Sequence, residues 1–198
     1  MAAELRRGRL LACLRREVGH VFHSNTEQLM TYWRGLRTGS AAPLRRDFDP
    51  TAVFELLPQV FMLDLGPGVL PFRLAGEFLI DLHGRPLKGT DFQSLFAPAA
   101  RRVVSQAAMA ALADAEPAVL DAEGVSDDGR AVTLQLMLAP LAAADGRPER
   151  LVGLCQPTTL VARLAGKPVV EMTARLAAPA GERTGRLKLA AVDGLRIA

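Results

Sequence analysis

The segment that most limits what this chain can become is residues 117–157, PAVLDAEGVSDDGRAVTLQLMLAPLAAADGRPERLVGLCQP. Three apolar segments of strand length are joined by two turns, DDG and DGRPER, with no helical segment between them. Val132, Leu134, Leu136 and Leu138 alternate with Thr133, Gln135 and Met137, the period of a strand with one firmly buried face. Strands joined by short turns pair antiparallel, because a parallel pair needs a long crossover.

Upstream, VFMLDLG and VLPFRLAG flank the turn Gly66-Pro67-Gly68 and predict a first hairpin. EFLIDLHG predicts a short helix closed by Gly84, and GTDFQSLF another, capped by Thr90 or Asp91. PAARRVVSQAAMAALADA predicts a longer helix with Val104, Ala107, Ala108, Ala111 and Leu112 inward and Arg101, Arg102 and Gln106 in water. Two strands, several short helices and then three strands make an α+β layer fold on an antiparallel sheet.

Before that core, SNTEQLMTYWRGLRTG predicts a helix with Ser24 or Asn25 as N-cap, Glu27 completing a capping box and Gly39 as the stop. Leu29, Tyr32, Trp33 and Leu36 form its apolar stripe, and they include the only Tyr and the only Trp of the chain. Such a stripe is a candidate homodimer interface. Asp49-Pro50 reads as N-cap and first residue of the helix TAVFELL, with Val53, Phe54 and Leu57 inward and Pro58 as its end. The expected organisation is a basic N-terminal arm or helix at 1–22, with Leu10, Leu11 and Leu14 opposite arginines, and a flanking helix and linker at 23–42. The main domain follows at 43–157. An extension at 158–198 is expected to be an extra strand or a loose tail.

The net charge of +3 conceals an asymmetry, with residues 1–50 at +4, residues 51–160 at −5 and residues 161–198 at +4. Basic ends can grip a nucleic acid or an anionic membrane, or lie against the chain's own acidic centre. The arginines have no interleaved aromatics and no reading helix, so nothing firm points to nucleic acid, nor to a membrane. No apolar run is long enough to span a bilayer, and LLACL is too short for a signal-peptide core, so a cytoplasmic location is expected. Cys13 and Cys155 are two lone thiols, which suits a reducing compartment, and His20, His23 and His83 do not combine with them into a metal site.

The motifs carry a more specific likeness. The positions Tyr32, Trp33, Gly39, Pro43, Arg45, Asp47, Asp49, Pro50, Leu57, Pro58, Asp64, Arg73, Gly76, Gly84, Arg85, Gly89, Gly129 and Arg130 follow, in order and spacing, the pattern of one family. Over roughly residues 27–156 the chain resembles the alphaproteobacterial PAS_5 subfamily of PAS domains. The resemblance implies a PAS fold: a five-stranded antiparallel sheet with short helices on one face, preceded by an N-terminal helix. It implies structural roles for Arg45, Asp47, Asp49, Pro50, Arg73, Gly76, Gly84 and Gly89, with Arg45 and Asp47 holding the linker by charge-assisted bonds. It also implies an apolar cavity between sheet and helices, for which Phe72, Leu74, Phe78, Leu79, Leu82, Phe92, Leu95 and Leu136 are the candidate lining, unless they simply fill the core.

Haem and flavin are not expected. Haem-binding PAS domains place their His on a later, longer helix than the one ending at His83, and light-sensing ones need a Cys that DLHGRP lacks. No nucleophile, base and orienting partner converge, so no enzyme and no metal site is expected. The leading expectation is a non-catalytic signalling module that binds signalling proteins of the same cell, as a homodimer. A small-molecule sensor using the cavity and a nucleic-acid-binding regulator using the basic ends are the alternatives.

Overall fold

The structure is a computed structural model that describes residues 22–39 and 41–176. The expected N-terminal arm, with Leu10, Leu11, Leu14 and Cys13, lies outside the described residues, as does the chain beyond Leu176.

Among the described residues, three α-helices, α1 (Ser24–Gly35), α2 (Glu77–His83) and α3 (Pro98–Asp114), accompany six strands. These are β1 (Val60–Asp64), β2 (Phe72–Ala75), β3 (Ala118–Ser126), β4 (Ala131–Ala142), β5 (Pro148–Pro157) and β6 (Val169–Leu176). They form one antiparallel sheet in the order β2-β1-β5-β4-β3-β6. Five strands were expected from the resemblance. The sixth comes from the extension, where Val169–Leu176 pairs along β3 from Leu120 to Ser126.

The central strands are apolar on both faces, whereas the alternation in β4 predicts only one buried face. Val132, Leu134, Leu136 and Leu138 point toward α2 and α3, and Met137, Ala139 and Leu141 are equally buried on the opposite side. Met and Ala in the alternate positions are themselves apolar, so the pattern read as half-polar conceals a second core. Leu29, Met30 and Trp33 of α1, with Phe48, Val53 and Leu56, cover this second face.

A backbone constraint fixes the position of α1. Strand β3 pairs with β4 only as far as Leu138, and β4 runs on to Ala142. Pro140 lies in this overhang and has no N–H to leave unsatisfied, while its carbonyl accepts a bond from Trp33 Nε1 at 2.8 Å. Two residues on, the Ala142 N–H donates to Pro43 O at 2.8 Å, and Leu44 bridges Ala142 in parallel. The segment Trp33–Leu44 therefore completes the edge that β3 abandons.

Several local expectations are corrected. The N-cap of α1 is His23, whose Nδ1 accepts from the Asn25 N–H, rather than Ser24 or Asn25. The helix ends at Gly35 with Leu36 as C-cap, short of Gly39. Residues Pro50–Gln59 form 3₁₀ turns instead of an α-helix. With about three residues per turn, Val53 and Leu56 share the inward face. Phe54 is 66% exposed and Leu57 37% exposed, so neither faces inward as expected. Asp49 does cap this helix, its carboxylate accepting from the Thr51 N–H at 2.9 Å and from Thr51 Oγ1 at 2.8 Å. These bonds hold its carboxyl below the usual carboxylate range. Arg45 and Asp47 do not pair. Asp47 lies 3.7 Å from Arg46 at an exposed site, and Arg45 Nε is buried without a hydrogen-bond partner among the described residues. Arg45 and Asp47 are the ends of a three-residue 3₁₀ turn, and with about three residues per turn positions two apart do not share a face.

Two outcomes follow. Replacing Trp33 by Ala removes a fully buried ring and is expected to cost ~3–5 kcal/mol in denaturant unfolding. The single Trp makes its fluorescence a direct check: emission near that of free indole, readily quenched by acrylamide, would contradict the packing described. For Asp49, an Asn replacement keeps the acceptor oxygen and is expected to leave stability nearly unchanged, whereas Ala lowers it. Equal losses in both variants would show that the charge, not the cap, is what matters.

Candidate functional site

The space between the sheet and the helices α2 and α3 is where the chain would hold a ligand. The local sequence packs it with rings. Phe61 and Phe92 stack at 5.3 Å between centroids, Phe72 meets each of them edge-on at 5.8 and 5.7 Å, and Phe96 meets Phe92 edge-on at 5.2 Å. Aromatic pairs at such separations add ~0.5–1.5 kcal/mol each beyond the area they bury. Gly153 of β5 is what lets Phe61 lie inward. A Cβ built on Gly153 would come within 2.2 Å of the Phe61 ring, so the ring occupies the place where a side chain would stand. A lone Gly within a strand marks this kind of close approach, and it was the available signal for a pair that sequence reasoning missed.

Of the candidate lining residues, Phe72, Leu79, Leu82, Phe92, Leu95 and Leu136 are all buried in this one cluster, and Phe78 packs against it partly buried. They form part of one buried apolar cluster. Leu74 is the exception. It is 53% exposed and pairs with Met62, whose side chain belongs to the opposite face of the sheet. A one-residue register irregularity between Met62 and Leu63 shifts the alternation in β2, so Leu74 does not line the interior.

The candidate interface residues are also placed. Leu29 and Trp33 are fully buried against the chain's own sheet, so they offer no surface to a second copy. Tyr32 and Leu36 are partly buried beside them. The Tyr32 hydroxyl donates to Asp49 O at 3.0 Å and accepts from the Asp49 N–H at 2.8 Å, and its ring meets Phe48 edge-on at 5.5 Å. The Tyr-Trp pair is therefore a clamp. Tyr32 fixes the entry to the Pro50–Gln59 helix, and Trp33 fixes the end of β4. At the other end of α1, the His23 N–H donates to Gln135 Oε1 at 3.0 Å and Asn25 Nδ2 donates to Gln156 Oε1 at 2.9 Å. Both glutamines are buried on the second face of the sheet.

Among the structural motif positions, Gly76 abuts the preceding helix so closely that a Cβ there would meet Pro58 O at 2.2 Å. Gly84 closes α2 in the left-handed conformation, at φ 61°. Arg73 and Gly89 are exposed beside β2.

The titratable groups of the interior do not assemble into a reactive set. His83 is buried, and its Nδ1 lies 3.0 Å from Val169 O. Burial pushes its pKa below the ordinary value of 6.5, the bond to Val169 opposes that, and the charge of Arg85 adds to it. Cys155 is buried on β5, and burial alone pushes its thiol up to about 12, far from the thiolate a nucleophile needs. No group of three or more His, Cys, Asp or Glu able to hold a metal is found among the described residues. In this interior the rings of Phe61, Phe72, Phe92 and Phe96 pack on one another, and Cys155 lies on β5 rather than on α2.

The PAS_5 family model, described as a PAS domain, matches residues 21–156. The chain belongs to this family. No curated protein matches the chain. Among solved structures it is similar to the dark structure of the blue-light photoreceptor Aureochrome1 LOV, with a TM-score of 0.45 and 16% identity over 58% of this chain and 86% of that one. A PAS domain of a protein from Colwellia psychrerythraea gives a TM-score of 0.44 and 13% identity over 54% and 93%. An RNA-binding Light-Oxygen-Voltage receptor gives 0.44 and 16% over 59% of this chain and 35% of that one. These likenesses are of fold alone, the α+β PAS fold with its antiparallel sheet and short helices. Helix α1 lies within the span of the PAS_5 match, and β6 lies beyond it.

The burial of neutral His83 has a pH signature. The unfolded chain takes up this proton more readily than the folded one, so stability is full above about pH 6.5 and declines as pH falls below it. A His83→Gln variant is expected to show a flatter stability profile between pH 7 and 5 in urea titrations. An unchanged slope would mean that His83 is not held neutral in the fold.

Proposed function

We propose that this PAS domain is a non-catalytic regulatory module that acts through its surface, by binding signalling proteins of the same cell, and carries no cofactor in its interior. The observation that carries this reading is the ring of Phe61 lying over Gly153 and stacked on Phe92, which occupies the interior where a ligand would otherwise sit. A PAS fold whose interior is packed can still transmit a state through the elements around its sheet. Among the described residues no nucleophile and base converge, which fits the non-catalytic part. The reading of the basic ends as a nucleic-acid grip rests largely on residues outside those described. No described helix is long and apolar enough to cross a membrane.

Native mass spectrometry and absorption spectroscopy of the full chain, purified from its own host, test the proposal. The expected result is the mass of the polypeptide with no stoichiometric adduct and no visible absorption band. A bound small molecule that survives purification and is lost in a Gly153→Leu variant would instead make the chain a ligand sensor.

A further inference from the structure

The two edges of the sheet are finished differently. At the β6 edge, Met172 O accepts from the Ala97 N–H at 2.8 Å, and Val169 O lies 3.0 Å from His83 Nδ1. Among the described residues, the β2 edge is closed over part of its length only. The Phe72 N–H donates to Thr90 O at 2.9 Å and Phe72 O accepts from the Gly89 N–H at 2.8 Å, so the 89–90 segment is zipped to the strand there. Further along, the segment diverges. Residues Arg73, Leu74 and Ala75 on one side and Pro86, Leu87 and Lys88 on the other line a wedge-shaped groove of about 290 Å³, with Ile80 of α2 beside them.

Three properties of this groove converge on one kind of occupant. Phe61 and Ala75 are register partners, and the Gly76 N–H, one residue on, donates to Val60 O on β1. Alternation along an antiparallel pair then turns the N–H and C=O of Ala75 away from β1, toward the groove. The lining is mostly apolar, from Leu74, Ala75, Ile80, Pro86 and Leu87, and its charged members, Arg73 and Lys88, are both cations. Both are exposed, neither has an ion-pair partner among the described residues, and Arg85 adds a third cation to the same loop. Such a site offers one backbone pairing position, an apolar slot and paired positive charge.

We infer that this wedge is a docking site for an extended, acidic peptide segment of a partner protein, which adds to the sheet at Ala75, places an aliphatic side chain against Ile80 and Pro86, and sets a carboxylate between Arg73 and Lys88. Strand addition draws affinity from main-chain bonds and selectivity from side-chain pockets, and the wedge supplies both. This inference rests on the proposed surface-acting role and names the chemistry of the partner. The two fail separately: an interior ligand would appear in the intact mass, whereas a wedge that binds no peptide leaves that mass unchanged.

The test uses the full chain, ¹⁵N-labelled, and a short capped peptide of alternating valine and glutamate. Controls are the same peptide with lysine for glutamate, one with proline at alternate positions, and free glutarate. The valine–glutamate peptide is expected to shift the amide resonances of Arg73, Ala75 and Lys88 and to bind most tightly of the four. Joint replacement Arg73→Glu and Lys88→Glu is expected to weaken it about tenfold or more and to transfer the preference to the lysine peptide. Both residues are exposed, so the variant should keep its unfolding temperature, and Lys88→Glu alone provides a milder second variant. Equal binding by the proline peptide or by glutarate would overturn strand addition. Absent binding, resonance shifts elsewhere on the protein, or insensitivity to charge reversal would overturn the site.

Discussion

The bond from the Trp33 indole to the carbonyl of Pro140 closes a gap that the sheet itself leaves open. Strand β4 outruns β3 by four residues, and in a sheet this deeply buried a stretch of unpaired backbone is costly. Proline at the second of those residues removes the donor, the indole takes the acceptor, and Pro43 O takes the next N–H. Because Trp33 sits on α1, the same bond sets that helix over the second apolar face, where Met137, Ala139, Leu141, Val152 and Leu154 would otherwise meet water. Burying side chains of this size is worth ~1.5–3 kcal/mol each for the larger ones. One polar contact thus decides where a large apolar contribution is made.

The same geometry gives Tyr32, Trp33, Pro43 and Asp49 their roles before the sheet begins. Each handles one loose end of backbone: Tyr32 both polar groups of Asp49, Trp33 the end of β4, Pro43 the position beside it, and Asp49 the first turn of the following helix. The arginines in the same stretch do less. Arg46 and Asp47 form a loose, exposed pair at 3.7 Å, and such surface pairs contribute little. Arg37 is an exception, its guanidinium lying 5.2 Å from the Trp33 ring while also pairing with Glu116.

The layer order, the antiparallel sheet, the three helices and the cap at Asp49 were legible because hairpin turns, capping residues and apolar periodicity are local signals. The second buried face was not, since Met137 and Gln135 in β4 read as the polar half of an alternation. Gln135 is in fact buried and bonded to the backbone of His23, more than a hundred residues away in sequence. The inward face of residues 50–59 was misjudged because an α period was applied to 3₁₀ turns, exchanging Leu56 for Phe54 and Leu57. Leu74 was misplaced by one bulge residue, which inverts every side chain beyond it. The fate of the Phe cluster depended on Gly153, whose meaning appears only once Phe61 is known to be its register partner. Sequence could propose a lined cavity or a filled core, but the choice between them is tertiary.

If the interior is filled, as the proposed function holds, that changes what the fold can transmit. In a packed core a change at one surface is not absorbed by an adjustable cavity, because close-packed side chains have few alternative arrangements. The elements able to respond are those held by few, specific polar contacts. Helix α1 is anchored at one end by the Gln135 and Gln156 side chains and at the other by Trp33, and β6 is fastened across its free edge by Ala97 and His83. Among the described residues, Ala75 on the β2 edge offers an outward pairing position beside the exposed cations Arg73 and Lys88. That asymmetry has a direction. The first and last described elements are tied to the sheet's centre and to its β6 edge, so a strand added at the opposite edge, as proposed, would displace no described element.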